Sequence, residues 1–273
     1  MESKDEICAD QPTTTSSGES EALELLKIKT AVPLSTHAER KRFLLDCHGD
    51  RIKATDRLNK YIEWRREYCD DASSEEDPWM YANHMLQKHC ERNSSNKHDD
   101  SMDTTTNNLP RIVYTHKTTQ SSTRYVQHLP ARIDTSLATP SMYALVLAIY
   151  LEHLFDRNSF EKITLVVDVR AGRGWANIPA LHLIPFMQAC CKLLCDLHPE
   201  RLQSCILFPL PKVATVIWRA VKPFLQKDMR KKILMANGQA GEDDPVPKKM
   251  SQLIEEQMIH LMEEQRMSCF SRG

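Results

Sequence analysis

The sequence predicts an α/β fold: a mostly parallel sheet covered by helices, behind a small all-helical module. Three observations predict it. After Leu109, strand-like and helix-like stretches alternate, as expected when parallel strands are joined by crossover helices. Two of the strand-like stretches, "KITLVVDV" and "CILF", are continuous apolar runs of the kind buried on both faces of a sheet. Before Asp70 the apolar residues recur at helical spacing behind capping signals.

The elements follow in chain order. Residues 1–18 are rich in Thr, Ser and acid and are expected to form a disordered tail. Residues 19–70 form the helical module. Thr36 and Glu39 have the spacing of a capping box, in which each side chain satisfies a free backbone donor of the other. The helix that follows is expected to break at Gly49. Asp50 can cap "RIKATDRLNKYIEWRREY", whose Ala54, Leu58, Tyr61 and Ile62 share one face. Residues 71–108 are expected to be a mobile insert, because "NSSNKHDDSMDTTTNN" can bury almost nothing.

The main domain is placed at 109–273. "RIVYTHK" reads as a strand, and "SMYALVLAIYLEHLF" as a helix buried nearly all round. The strand "KITLVVDV" comes next, and then "IPALHLIPFMQACCKLLCDL", a helix that Pro185 should kink. "CILFPL" is a short buried strand expected to end at Pro209 and Pro211. "KVATVIWRAVKPFL" carries one apolar stripe that includes Val213 and Ile217, and "KKILMA" is a final strand. The last helix, "KMSQLIEEQMIHLMEEQ", has a stripe at Met250, Leu253, Ile254, Met258, Leu261 and Met262. Such Met-rich stripes most often pack a core.

The bulk numbers exclude several function classes. The chain has 273 residues, 41% hydrophobic and 27% charged, with a net charge of −1. No overall field draws it to nucleic acid. No run reaches the roughly 18 apolar residues that would span a bilayer. The polar, acidic start is unlike a secretory signal. Nine cysteines without a CxxC pair suit a reduced compartment better than a disulfide scaffold.

Weak motifs fail on their own chemistry. "DVRAGRGW" follows a strand, and its Gly172 and Gly174 suggest a turn that needs positive φ, but no GxGxxG or Lys-Ser/Thr completes a phosphate loop. Cys195 and Arg201 have the C-x5-R spacing of a phosphatase loop. Their interval "DLHPE" has no glycine, one proline without an amide, and two acids that would raise the thiol pKa. Cys190, Cys191 and Cys195 therefore read as small apolar residues on a core helix. His84 and His89 are five apart and do not share a helix face, so no metal site is expected. No GxSxG, HExxH or paired-carboxylate signature marks an enzyme, and no cofactor is implied.

Pro211 to Lys232 carries seven basic residues and one acid, with Trp218, Phe224 and Leu225 among them. Cations interleaved with large apolar groups suit an anionic membrane surface.

The stretch "HPERLQSCILFPLPKVATVIWRAVKPFLQKDMRKKI" resembles the CRAL-TRIO lipid-binding family, with its Y-P-E-R-L, apolar strand, N-A-P, helix, K-P-F-L and K-I progression. "KITLVVDVRAG" and "RFLLDCHGDRIKATDRLNKYIEWRREY" are similar to the preceding parts of that family. The resemblance implies a sheet and helices enclosing an apolar lipid pocket, lined by Leu165, Val167, Ile206, Phe208, Val213 and Ile217. It implies a lid that docks on membranes through Trp218, Arg219, Lys222, Phe224, Lys227, Arg230 and Lys231. Headgroup contacts map to Glu200 and Lys232. The family's headgroup Thr falls on Met229, and its basic positions on Leu45 and Cys47. The implied protein is a non-catalytic, cytoplasmic, monomeric binder and transporter of a phospholipid or other hydrophobic ligand, peripheral on membranes. The alternative is a ligand-free module that engages small GTPases or their regulators.

Overall fold

The computed structural model describes residues 15–69, 77–94, 108–117, 123–172, 180–211, 218–219, 222–225 and 227–270. Three helices form the N-terminal module: α1 (Thr15–Ala31), α2 (His37–Asp46) and α3 (Arg51–Tyr68). The capping box is present: Glu39 N–H donates to Thr36 Oγ1 at 3.2 Å, and Thr36 N–H donates to Glu39 Oε2 at 2.7 Å. Between α2 and α3 the chain turns through His48 at φ 52° and Gly49 at φ 83°, and a glycine takes that left-handed conformation without a Cβ clash. Asp50 then caps α3 by accepting from Lys53 N–H at 3.1 Å. The module's core of Ile28, Phe43, Leu58 and Tyr61 continues into Ala148 and Leu197 of the main domain, so the module is docked onto it.

The expectation of a mobile insert over 71–108 is wrong for Pro78–Ser94, which is helix α4. Its Trp79, Tyr81, Ala82, Met85 and Leu86 are buried in the main core. Trp79 Nε1–H donates to the Leu109 carbonyl at 3.2 Å, which fixes where the domain's first strand begins. The tail expected over 1–18 is wrong for 15–18, which open α1; residues 1–14, and residues 95–107 of the low-complexity loop expected over 93–108, lie outside the described residues.

Five strands form one sheet: β1 (Val113–Lys117), β2 (Arg124–His128), β3 (Ile163–Asp168), β4 (Leu202–Leu210) and β5 (Ile233–Asn237), in the spatial order β1-β2-β3-β4-β5. Only β1 and β2 are antiparallel. α5 (Pro140–Leu154) joins β2 to β3, and α6 (Ala180–Leu197) joins β3 to β4. Right-handed crossovers that advance in one direction must lie on one face, and α4, α5 and α6 pack together there with Val126 and Ile163 of the sheet. A short helix, α7 (Lys227–Lys231), precedes β5.

The other face is covered by the C-terminal segment. The expected single helix is a 3-10 turn over Lys248–Gln252 followed by α8 (Glu256–Phe270). Met250, Ile254, Met258 and Met262 pack on Tyr125, Val166, Ile206 and Phe208. The Met stripe is therefore core.

Two local expectations are corrected. β4 does not stop at Pro209 but runs to Leu210. Its register with β5 shifts between Leu207 and Leu210, which accommodates a residue that cannot donate to the ladder. Gly172 does not have positive φ. It is required by close approach, since a Cβ there would lie 2.0 Å from the Phe270 ring. Gly174 lies outside the described residues. Among the described residues, no helix is long and apolar enough to cross a membrane.

Candidate ligand cavity

A cavity of about 110 Å³ lies between the sheet and helices α5 and α6. An apolar cavity of about 150 Å³ stays dry and accepts a benzene-sized guest, so this smaller one must widen to take a larger ligand. Strand pairing explains its lining. Leu165 lies opposite Cys205 and Val167 opposite Leu207, and all four line the cavity. Side chains alternate faces along a strand, so Ile206 and Phe208 point the other way, into the core under α8. The assignment of Ile206 and Phe208 to the pocket is thus corrected by one residue in register. Two apolar clusters, one around α5 and α6 and the other at Val167, Cys205 and Leu207, share Leu165 and Leu202 at their edges.

The segment after β4 contributes Trp218, Leu225 and Met229 to the lining. Trp218 is half-buried and Arg219 exposed. Phe224 stands in the 3-10 turn Lys222–Phe224, and Val213 and Ile217 lie outside the described residues.

His128, which sequence reasoning missed, also lines the cavity, together with His198 and Arg201. The Arg201 guanidinium is engaged away from any thiol, donating to Ser159 Oγ and the Glu161 carbonyl, both at 3.0 Å, and to the Asp156 carbonyl at 2.7 Å. Burial, with the nearby Arg42 charge, pulls its pKa down to about 10. Cys195 sits on α6, and burial with nearby Asp46 and Asp196 pushes its thiol up to about 11. The C-x5-R pair therefore builds no phosphate loop and holds no thiolate. His198 Nε2 lies 3.2 Å from the Ala148 carbonyl, with its Nδ1 3.8 Å from Glu152. His128 Nδ1 lies 3.0 Å from the Ile112 carbonyl.

Burial lowers the pKa of both histidines, that of His128 to about 4, despite opposing interactions with Glu152 at His198 and with the Ile112 carbonyl at His128. Both are neutral in the fold at neutral pH. An unfolded imidazole titrates near 6.5, so below that pH the unfolded chain binds more protons. Their contribution is present above about pH 6.5 and is lost as pH falls toward the folded values, by at most about 1.4 kcal/mol per pH unit for each. Melting temperatures are expected to fall between about pH 6.5 and 4.5, with a shallower slope in His128→Asn. A flat profile for the unsubstituted chain would mean that the imidazoles are charged in the fold.

A polar recess adjoins the cavity and shares Cys195, Leu202 and Met229 with it. Glu200 and Lys232 meet there, with Leu45, Asp46 and Asp228 around them. Glu200 has φ 58°, a left-handed position that aims its carboxylate at two lysines: Lys162 Nζ at 3.0 Å and Lys232 Nζ at 3.7 Å. Burial would raise its pKa, but those lysines hold it below the usual carboxylate range. Cys47 does not reach the recess and is buried in the module core. Of the basic residues beyond it, Lys222 and Lys227 are exposed. Lys231 pairs with Asp228 at 2.7 Å, and Arg230 Nε–H donates to the Leu225 carbonyl at 3.0 Å.

An apolar cavity is thus closed in by a mostly parallel sheet and its helices, behind a docked helical module. The chain belongs to the CRAL/TRIO domain family, whose model matches residues 110–264 and whose members bind hydrophobic lipid ligands. Among solved structures, the crystal structure of Sfh5 is similar, with a TM-score of 0.56 and 14% identity over 80% of this chain and 80% of that one. At that identity the likeness concerns the fold. No curated protein sequence matches the chain.

Proposed function

We propose that this protein holds one hydrophobic ligand in the cavity, shields it from water and presents it at an anionic membrane surface without chemical change. The observation that carries this reading is the lining: strand residues Leu165, Val167, Cys205 and Leu207 face apolar side chains of α5 and α6 across the cavity. Each methylene buried there is worth about 0.8 kcal/mol, so a single chain supplies ample affinity. A diacyl phospholipid would need the walls to part. The recess does not favour an inositide, because Met229 cannot donate and Glu200 neutralises Lys232. Purified protein, denatured and extracted, is expected to release about one amphiphile per chain, with native mass spectrometry showing the same stoichiometry. An empty protein that also fails to capture labelled lipids would hand the fold to the alternative, a ligand-free interaction module.

Membrane docking rests on Lys222, Lys227, Arg230 and Lys231. Changing all four to Gln is expected to reduce co-sedimentation with anionic vesicles at low salt and to slow ligand exchange. A free cation beside an anionic leaflet is worth about 1 kcal/mol, and the pairing of Lys231 with Asp228 lowers its share. The difference should shrink at high salt, where screening shortens the field to a few ångströms. Equal sedimentation of both proteins at low salt would remove this face from the docking surface.

A further inference from the structure

His128 ends β2 on the cavity side of the sheet. It lies opposite Val167 in the β2–β3 pairing, and both residues line the cavity. Its ring packs 5.4 Å from that of Phe186, centroid to centroid, and the side chain is 3% exposed. A carbonyl oxygen can only accept, so the 3.0 Å contact with the Ile112 carbonyl places the proton on Nδ1. In the neutral ring Nε2 then carries a lone pair and no hydrogen. That atom has no hydrogen-bond partner and is buried, alone in this respect among the side-chain nitrogens and oxygens of the described lining residues.

A buried acceptor without a donor is costly. A water molecule needs two to four polar partners to be held in such a place. Beside His128 stand Val167, its partner across the strands, and the Phe186 ring, both apolar, so a single water would be poorly satisfied. The atom calls for a donor carried by the ligand. A chain ending in a methyl group would leave Nε2 as unpaired as before. An ether, ester or aldehyde would set acceptor against acceptor, and a carboxylate would do the same while bringing a full charge into an apolar cavity. An ammonium would bring a full charge into an apolar cavity. A hydroxyl is both neutral and a donor, and unlike an amide it brings no separate carbonyl that would be left unpaired.

We propose that His128 is a specificity-determining residue which accepts a hydrogen bond from the hydroxyl of a long-chain alcohol held in the cavity. This inference rests on the cavity reading above and narrows it from hydrophobic ligands to neutral alcohols. From Ile163 to Val167 the β3 part of the lining runs ~13 Å, so the hydroxyl lies at the His128 end and the apolar body extends toward Leu202 and the polar recess.

The test measures uptake of three matched probes by the full chain: hexadecan-1-ol, 1-methoxyhexadecane and hexadecane, each delivered from cyclodextrin and read by native mass spectrometry. The alcohol is expected to bind about tenfold or more tightly than the other two, as follows from leaving one buried acceptor unpaired. His128→Asn, which can still donate to the Ile112 carbonyl, is expected to level the three. His128→Phe, which keeps a ring beside Phe186, is expected to do the same should the first variant fold poorly. In the unsubstituted protein the ¹⁵N resonance of His128 Nε2 should move with the alcohol and stay fixed with hexadecane. Equal affinity for all three probes would overturn the role of His128 while leaving the cavity reading intact. Failure to take up any probe would overturn both. An alcohol preference that persists in both variants would place the donor elsewhere and overturn the inference.

Discussion

Arg170→Met is expected to destabilise the protein by about 3–5 kcal/mol, the cost of removing one partner from a buried ion pair. Asp168 ends β3 at 1% exposure, and its carboxylate is held by Arg170 through contacts of 2.6, 2.9 and 3.2 Å. The same guanidinium reaches Glu263 of α8 at 3.0 Å and the Asp244 carbonyl at 3.1 Å. Burial alone would lower the Arg170 pKa, but Asp168 and Glu263 reverse that and raise it. Without Arg170, the nearest cation to Asp168 is Arg266, at 3.6 Å. Arg170 thus ties the back of the sheet to the helix that covers it. Urea melts give the stability, and amide exchange should show α8 opening first. Arg170→Met with Asp168→Asn should recover part of the loss, because the second change removes the stranded charge. A loss below about 1 kcal/mol for the single variant would show that Arg266 suffices for Asp168.

Most of the sheet was legible because β3 and β4 are buried on both faces, and a two-sided apolar run is a signal that local propensity rarely gives to anything else. For the same reason the sequence does not say which residues face the cavity. In "CILF" every residue is apolar, so period-2 alternation leaves no trace. Only pairing decides that Cys205 and Leu207 look into the cavity and Ile206 and Phe208 away from it. β2 was missed because "RYVQH" is short and half polar. Its Gln127 is satisfied from afar, donating to the Met262 carbonyl at 3.0 Å.

α4 was overlooked beside a stretch that can bury nothing. The signal was present in "DPWMYANHML": Asp77 accepts from Trp79 N–H at 2.8 Å and from Met80 N–H at 3.1 Å, and Pro78 occupies the first helical position. Trp79, Ala82, Tyr81, Met85 and Leu86 then recur at helical spacing. His128 carried no signal. Histidine at a strand end is ordinary, and its meaning comes from the Ile112 carbonyl, which occupies one nitrogen and leaves the other facing an apolar cavity. The resemblance, carried by "HPERLQSCILFPLP", mapped Glu200, Lys232, Met229 and Leu45 to one headgroup site, and they do meet in one recess. What it could not convey is the pairing of Glu200 with Lys162 and Lys232, which leaves the recess with little free positive charge.

Cys191→Phe is expected to abolish ligand capture, taking it from about one amphiphile per chain to near zero. Cys191 is half-buried on α6 and lines the cavity beside Cys195 and Cys205. Its thiol is pushed up to about 12 by burial and the neighbouring Cys195, so no charge is lost in the change. A phenyl ring added from this position occupies much of a 110 Å³ space. If the ring fits, filling the cavity stabilises the empty protein by about 0.5–2 kcal/mol. If it is too large, over-packing costs about 1–3 kcal/mol. Thermal melts tell these apart, and either outcome leaves a folded protein in which capture can be measured. Ile206→Val on the opposite face of the same sheet is the control. It should cost about 0.5–1.5 kcal/mol of stability through its contacts under α8, while capture stays near one per chain. Full capture by Cys191→Phe would move the ligand out of this cavity. Loss of capture in Ile206→Val without unfolding would show that the face under α8, and not the one under α5 and α6, receives it.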